Sequence, residues 1–432
     1  MPVHGSISAR SDLLADHGYG IFFYVSNQIK IEVVPNGGVS TPRGYFAGAA
    51  YAGLKKPAPE ALDLGVLYSE KGATPAAVFT RNRIKAAPVL LDMAVVRGGG
   101  KVRALAVNSG CANACTGPTG MSNARATAAL LAKNLGVEAK ETLVASTGVI
   151  GVQLPMDKIE AGLAKVVLSR SAGRDFTQAI MTTDTRAKEI ALEVKSSECT
   201  FLVGGTAKGA GMIHPDMATM LCFITCDAAV EPRFLQACLK KAVAGSFNMI
   251  TVDGDTSTND TVLLLANGMA GTPVIKGSSE LAGALQEALN RVCLFLAQSV
   301  ARDGEGATRL IEVMVKGART LSEARLAART IAGSPLVKTA VHGCDPNWGR
   351  IVAAAGRSGA EMEESQTDCF IGGLCLLKSG IPQEFDKGAA SRLLKQDTVV
   401  LGLDLHLGRA KATAWGCDLS EEYVVINSEY TT

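Results

Sequence analysis

The chain lacks the two features that usually mark a nucleic-acid-binding protein. It has almost no excess of charge, because 43 Lys and Arg are balanced by 41 Asp and Glu, which leaves a formal net charge of +2. Side chains that stack on bases are also few, with 2 Trp and 7 Tyr in 432 residues. Nucleic-acid binders carry a basic surface and often aromatic platforms. The composition therefore gives no case for nucleic acid as a partner and favours a small-molecule function.

Long hydrophobic runs are missing as well. No apolar run approaches the roughly 18 residues of a membrane-spanning helix, and the first twenty residues lack the apolar core of a secretion signal. Apolar residues still make up 47% of the chain and charged residues 19%, which is typical of a globular protein with a sizeable core. We expect a cytoplasmic protein without a membrane partner.

Metal-ligand spacing is absent too. The eleven cysteines are an odd number, and the two close pairs, Cys111 with Cys115 and Cys222 with Cys226, have a C-x3-C spacing. Zinc sites use other spacings with further ligands, and none of the five histidines accompanies these pairs. The pattern predicts reduced thiols and no metal.

The periodicity of the chain indicates both strands and helices. Residues 187–205 and 403–416 alternate apolar with polar residues and predict two antiparallel hairpins. Residues 279–302 carry one apolar stripe at helical spacing, and Thr320 with Glu323 forms a capping-box pattern before a further helix. Because no β-α-β rhythm appears, we predict an α+β fold, a layered α/β sandwich with antiparallel sheets.

Three polar motifs invite a functional interpretation, and each has a simpler one. "DGDTSTNDT" at 253–261 resembles a calcium loop, but it lacks the obligatory Gly and Glu. It predicts either a plain polar turn or a polar turn that faces a substrate pocket. "STGVIG" at 146–151 exposes the backbone N–H groups of Thr147 and Gly148 to an anion, or forms a strand-ending turn. "HGCDPNWGR" at 342–350 offers a thiol, an imidazole and a carboxylate, or only a turn.

A seam at 208–229, "KGAGMIHPDMATMLCFITCDAA", joins a polar, Gly-rich run to an apolar run that predicts a buried strand. Thr219 follows the small Ala218, so its hydroxyl can reach the Ala218 carbonyl without much steric hindrance. This permits an N-to-O acyl shift and hydrolysis of the Ala218–Thr219 bond. The new N-terminus would combine a hydroxyl with an α-amine, which serves as a general base when neutral. From these residues alone, the simpler interpretation of Thr219 is a β-branched residue that starts a buried strand.

The seam and several further stretches together resemble one known family. They are "PNGGVSTPRGYFAGAAYAGLK", "FTRNRIKAAPV", "NSGCANACTG", "STGVIGVQLPM", "IMTTDT", "TVDGDTSTNDT", "VARDGEGATRL", "HGCDPNWGRI" and "YVVINSEYTT". In this order, from about residue 32 to 432, they resemble the ornithine acetyltransferase, or glutamate N-acetyltransferase, family of arginine biosynthesis. One departure is Cys111, where the family pattern would have Asn; this position is not catalytic in the family.

The resemblance implies a role for individual residues. Thr219 matches the family's nucleophile, formed by self-cleavage after Ala218, and Thr147 and Gly148 match its oxyanion donors. The substrate contacts that the resemblance implies are Thr182, with Thr183 as the alternative, and Lys208, Glu305, Asn427 and Thr432. Glu305 would relay a proton or hold an ammonium group.

The resemblance also implies the reaction and the assembly. The acetyl group moves from N-acetylornithine to glutamate through an acetyl-threonine, in ping-pong steps that release ornithine and N-acetylglutamate and need no cofactor. Acetyl-CoA is a second donor in some members, and no motif here decides that question. We expect an N-terminal extension of unknown role at 1–31, an α chain at 32–218 and a β chain at 219–432, paired as an α2β2 heterotetramer. The alternative is an N-terminal-nucleophile amidohydrolase or aminopeptidase, which would give the acyl group to water.

Overall fold

The structure, a computed structural model, describes residues 23–26, 29–55, 61–214 and 220–429. These ranges form sixteen strands in two sheets and eleven α-helices, so the predicted α+β layered fold is confirmed. Among the helices of these ranges, none has the length and apolarity that crossing a bilayer demands.

The larger sheet has ten strands. Nine follow the order β1-β2-β7-β8-β9-β10-β4-β5-β6, and β3 pairs with β4 off this path. The strands are β1 (Phe23–Ser26), β2 (Ile29–Val33), β3 (Tyr45–Ala50), β4 (Leu64–Phe79), β5 (Val102–Cys111), β6 (Thr142–Val149), β7 (Lys188–Lys195), β8 (Thr200–Lys208), β9 (Leu221–Cys226) and β10 (Thr261–Ala266). The pairs β9–β10 and β5–β6 are parallel and the others are antiparallel, so the sheet is mixed and not purely antiparallel.

The smaller sheet has six strands in the order β14-β13-β12-β15-β11-β16. They are β11 (Leu310–Ala318), β12 (Asp368–Ile371), β13 (Leu374–Lys378), β14 (Ile381–Pro382), β15 (Thr398–Asp404) and β16 (Ala410–Cys417). Only the β11–β15 pair is parallel among the described strands of this sheet.

Helices cover both sheets. They are α1 (Ala87–Arg97), α2 (Gly117–Leu135), α3 (Met156–Leu163), α4 (Gly173–Ile180), α5 (Pro232–Ala244), α6 (Ala282–Arg302), α7 (Leu321–Ala332), α8 (Pro335–His342), α9 (Trp348–Gly356), α10 (Lys387–Leu394) and α11 (Glu421–Glu429). Short 3-10 helices lie at Ala139–Glu141, Phe247–Met249 and Glu364–Gln366.

Strand β9 is buried on both faces, as the apolar half of the seam predicts. Its alternate side chains enter different cores: Cys222 and Ile224 join the core that contains α5 and α6, whereas Leu221 and Phe223 join the core that contains α4. On the second face Phe176 meets Phe223 edge to face, with ring centroids 5.8 Å apart. Because both faces of β9 are closely packed, the residues at its N-terminal end are held on a rigid support.

Most local predictions are confirmed and one is wrong. Strands β7 and β8 form the predicted hairpin, α6 carries the predicted stripe and ends at Arg302, and Thr320 with Glu323 forms the capping box of α7. The segment 403–416 is not a hairpin, because β11 lies between β15 and β16. The connecting loop crosses the end of β11 instead, where Leu407 and Gly408 both donate their N–H groups to the Gly317 carbonyl at 2.8 Å.

Candidate active site

Six of the residues predicted from the sequence line one cleft of about 600 Å³, a volume that includes solvent at its mouth. They are Thr147, Gly148, Thr182, Lys208, Glu305 and Asn427. The alternative contact Thr183 lines the same cleft. Ala218, Thr219 and Thr432 lie outside the described residues. The structure therefore brings together every predicted site residue that it describes.

The described residue nearest in sequence to the predicted nucleophile is Met220, which is buried and immediately precedes β9. The next residue, Leu221, is paired with Lys208 on β8 and with Thr261 on β10. The first described residues after the predicted cleavage bond therefore enter the sheet beside the cleft residue Lys208.

Thr147 and Gly148 stand at the end of β6, which runs parallel to β5. Gly148 has φ +125°, and a Cβ on it would lie 2.3 Å from the carbonyl carbon of Gly110. Only glycine tolerates that backbone conformation and that close approach. The strand end thus has a tight, fixed backbone at the cleft wall.

Asn259, a cleft residue that the sequence analysis did not single out, fixes the same strand end. Its side-chain amide donates to the carbonyl of Ser146 at 2.8 Å and to that of Ala112 at 2.7 Å. Asn259 belongs to the polar loop "DGDTSTNDT". Ser257 and Asn259 of that loop therefore form part of the cleft wall, which is the second of the two interpretations left open for the loop.

Lys208 is a buried cation whose ammonium group lies among hydroxyl groups. Nζ is 2.8 Å from Thr182 Oγ1 and 3.4 Å from Thr147 Oγ1, and the nearest carboxylate oxygen, Asp184 Oδ2, is 3.9 Å away. Burial lowers the pKa of Lys208, and the charge of Asp184 opposes that shift. The cleft thus presents a partly desolvated ammonium group that can bind a carboxylate.

Behind Lys208 lies a buried ionic network. Lys188 Nζ is 2.6 Å from Asp184 Oδ1 and 2.5 Å from Asp303 Oδ2, with side chains at most 1% exposed. Asp184 also accepts the N–H groups of Gly209 at 2.6 Å and Thr182 at 3.0 Å. Burial alone would raise the pKa of Asp184, but the charges of Lys208 and Lys188 and the Gly209 N–H lower it to about 2. Asp184, in the middle of "TTDT", was missed by the sequence analysis although it orients both Thr182 and the strand end at Lys208.

Glu305 faces the cleft just beyond α6. It is 8% exposed, and its Oε2 accepts a hydrogen bond from the Asn427 side-chain Nδ2 at 2.8 Å. The backbone N–H of Glu305 donates to the Ala210 carbonyl at 2.9 Å. A Cβ at Gly211 would lie 2.5 Å from Glu305 Oε2, so a side chain at residue 211 would displace the Glu305 carboxylate. Helix α11 supplies Asn427 and brings the C-terminal part of the described chain into the site.

The thiol alternative at 342–350 finds no support in the contacts. His342 Nδ1 is 2.8 Å from Asp418 Oδ2, while the Cys344 thiol points to the carbonyls of His342 and Leu394. Asp345 is exposed and belongs to the turn before α9. Imidazole and thiol therefore have different partners.

Cation ligands are not grouped in the described part of the chain. There, no cluster of three or more His, Cys, Asp or Glu side chains is arranged to hold a metal ion. Cys222 and Cys226 are both buried within β9, and desolvation raises the pKa of each thiol. The described residues of the cleft offer one cation, one carboxylate, hydroxyl groups and backbone N–H groups, a set suited to an amino acid.

Comparison with known proteins gives consistent similarities. The ArgJ family model matches residues 46–432. The arginine biosynthesis bifunctional protein ArgJ of Dehalococcoides mccartyi is 53% identical over 402 residues, covering 93% of this chain and 99% of that protein. The protein of the same name from Symbiobacterium thermophilum is 50% identical over 398 residues, covering 92% and 99%. The crystal structure of ornithine acetyltransferase complexed with ornithine from Mycobacterium tuberculosis is 41% identical, covers 43% of this chain and 98% of that one, and has a TM-score of 0.40.

Proposed function

This chain belongs to the ArgJ family, and we propose from that premise that it is an acetyltransferase of arginine biosynthesis that moves the acetyl group of N2-acetyl-L-ornithine to L-glutamate. One observation supports the proposal most strongly. Thr147 with Gly148, Lys208 and Glu305 come from three separate stretches of sequence, yet they line one cleft beside the strand that begins after Thr219.

The proposed enzyme matures by self-cleavage. The Thr219 hydroxyl attacks the carbonyl carbon of Ala218, the peptide C–N bond breaks to leave an ester, and water hydrolyses that ester. The products are chains 1–218 and 219–432, and the second begins with a threonine whose α-amine is its own general base.

In the first half-reaction the Thr219 oxygen attacks the acetyl carbonyl of N-acetylornithine and its proton passes to the α-amine. The N–H groups at Thr147 and Gly148 stabilise the developing oxyanion, a contribution of about 3 kcal/mol per donor in comparable enzymes. The amide C–N bond then breaks, the proton moves to the leaving nitrogen, and ornithine departs from an acetyl-threonine ester.

In the second half-reaction the α-amine of glutamate attacks the ester carbonyl, and the C–O bond to Thr219 breaks. N-acetylglutamate leaves, and the proton returns to the threonine oxygen. Both amino acids carry an α-carboxylate, which the ammonium group of Lys208 binds beside the Thr182 hydroxyl. The Glu305 carboxylate, oriented by the Asn427 amide, takes an ammonium group or a proton of the amino acid, and the Thr432 end of the chain completes the pocket.

The assembly and the choice of donor belong to the same proposal. Two copies of each chain form an α2β2 heterotetramer in the cytoplasm, and no cofactor takes part. Acetyl-CoA is a candidate second acetyl donor, which would place an acetyl group on the same threonine.

Initial-rate kinetics of the purified protein test the proposal. Varying N-acetylornithine at several fixed glutamate concentrations should give parallel double-reciprocal lines, with one N-acetylglutamate formed for each ornithine. Free acetate formed at the same rate without glutamate would instead support the amidohydrolase alternative. Replacing N-acetylornithine by acetyl-CoA in the same assay decides whether the second donor is used.

A further inference from the structure

The segment 251–261, which is the polar loop "DGDTSTNDT" with the two residues before it, contacts the chain on both sides of the predicted cleavage site. On the upstream side, Asp253 Oδ2 accepts the N–H of Met212 at 2.5 Å and Oδ1 accepts that of Ile213 at 3.0 Å. The N–H of Val252 donates to the Ile213 carbonyl at 2.8 Å. The upstream flank is therefore held to the loop by three hydrogen bonds within two residues.

The downstream flank is held by the far end of the same loop. Asp260, 2% exposed, accepts the N–H of Met220 with Oδ1 at 3.0 Å, and the Met220 carbonyl accepts the N–H of Thr261 at 3.1 Å. The Met220 nitrogen is two bonds from the Thr219 Cα. Asp260 thus fixes an atom next to the residue that carries the predicted nucleophile.

The upstream contact also constrains an uncommon backbone conformation. Met212 has φ +57°, in the left-handed region that costs a residue with a Cβ free energy. Because Asp253 accepts the N–H of this very residue, its loss would let Met212 relax to an ordinary conformation. The flank would then move relative to the Met220 side.

We propose that Asp253 and Asp260 are positioning residues that hold the two flanks of the Ala218–Thr219 bond for self-cleavage, and that Asp260 alone goes on positioning Thr219 in the mature enzyme. The inference rests on the proposed function, in which this bond is cut and Thr219 carries the acetyl group. Asp253 and Asp260 differ in the mature enzyme because cleavage disconnects residues 212–213, which Asp253 holds, from Thr219. Met220, which Asp260 holds, stays bonded to Thr219.

Both carboxyl groups are buried, so the hydrogen bonds from Met212, Ile213 and Met220 replace hydration that the carboxyl groups have lost. Burial raises the pKa of Asp253, and it raises that of Asp260 well above the usual range, opposed in part by the Met220 N–H. Asp260 Oδ2 has no hydrogen-bond partner among the described residues. In Asp260→Asn the side-chain NH2 group can take the position of Oδ2, and the side-chain oxygen still accepts the Met220 N–H. In Asp253→Asn both positions face backbone N–H groups, so the NH2 group must point at another donor.

The test measures cleavage and turnover separately. Wild type, Asp253→Asn, Asp260→Asn and Asp260→Ala are made by timed cell-free synthesis, with Asp175→Asn as a control at an exposed position of α4. Denaturing intact-mass spectrometry follows the uncut fraction with time. The cut fraction of each variant is purified for kcat and KM, and thermal unfolding reports the stability of each chain.

We expect Asp253→Asn to slow cleavage by about tenfold or more and to leave kcat of its cut molecules within about twofold of wild type. Any effect on the cut molecules should fall on KM, because Met212 lines the cleft. Asp260→Ala should slow cleavage by about tenfold and also lower kcat of the cut molecules by about tenfold, with KM nearly unchanged. Asp260→Asn should stay within about threefold of wild type in both measurements, because it retains the acceptor. Adding Met212→Gly to Asp253→Asn should restore part of the cleavage rate, since glycine adopts a positive φ freely.

Wild-type cleavage rates in both Asp253→Asn and Asp260→Ala would overturn the proposal. So would an Asp260→Asn variant as slow as Asp260→Ala, or cut Asp253→Asn molecules that lose kcat as strongly as Asp260→Ala. If Asp253→Asn does not fold alone, the double variant with Met212→Gly supplies the cleavage rate. An uncut wild type would instead refute the proposed function itself.

Discussion

Replacing Lys208 by Met separates its proposed role in binding from any role in folding. Methionine keeps an unbranched side chain of similar length, so the buried space around Lys208 stays filled. Asp184 does not lose its nearest partners, because Lys188 Nζ and the Gly209 N–H both remain 2.6 Å away. The substitution therefore removes the ammonium group that faces the cleft without leaving a buried carboxylate unpaired.

The magnitude follows from the contact that the substrate would lose. A hydrogen bond to a charged group contributes about 1.5–3 kcal/mol, and about 1.4 kcal/mol corresponds to a factor of ten. Both N-acetylornithine and glutamate present an α-carboxylate to the same ammonium group. We expect kcat/KM to fall by about 10- to 150-fold for N-acetylornithine and for glutamate. The two decreases should be similar in size, because both substrates lose the same contact.

The assay measures kcat/KM for each substrate at saturating concentrations of the other, together with the thermal unfolding midpoint. Lys158→Met, at an exposed position of α3, is the matched control and should leave both kinetic values unchanged. An unchanged kcat/KM for either substrate would refute common recognition of the carboxylate by Lys208. A large drop in the unfolding midpoint without a kinetic change would show that Lys208 is structural.

Further predictions concern the network, the strand end and the C-terminal helix. Lys188→Met should lower the free energy of unfolding by about 3–5 kcal/mol in chemical denaturation, because the buried Asp184 and Asp303 would lose the buried cation that they share. The pKa of Asp184 is about 2 when folded and about 3.9 when unfolded, so its stabilising contribution is complete above about pH 4 and is lost as pH falls toward 2. Thermal unfolding between pH 5 and pH 2.5 should show that loss, and a flat midpoint would contradict it. Gly148→Ala should lower kcat by about 100-fold or more through displacement of the strand end, and unaltered kcat would exclude an oxyanion role. Asn427→Ala should raise KM by about tenfold, since the Glu305 carboxylate loses the amide that orients it; an unchanged KM would remove α11 from the site.

Sequence patterns predicted those parts of the fold that depend on neighbouring residues. The hairpin of β7 and β8 has its turn within the alternating segment, and the capping box of α7 joins residues three apart. The β15–β16 prediction failed because alternation indicates a strand but not its partner, and β11, about ninety residues earlier in sequence, pairs with both.

The same limit applies to the site. The motif residues Thr147, Lys208 and Glu305 could be named from the resemblance, and the structure brings them to one cleft. The residues that hold them could not, because Asn259 and Asp184 act through contacts with distant strands. Their only signal in the sequence is position, inside the motifs "TVDGDTSTNDT" and "TTDT".

The measurement that tests the central claim most directly is denaturing intact-mass spectrometry of the purified protein, with and without N-acetylornithine. We predict two polypeptides, residues 1–218 and 219–432, and a gain of one acetyl group on the second when N-acetylornithine is present without glutamate. Adding glutamate should remove that acetyl group. A single chain of all 432 residues, or a cut protein that never gains the acetyl group on the chain beginning at Thr219, would contradict the account.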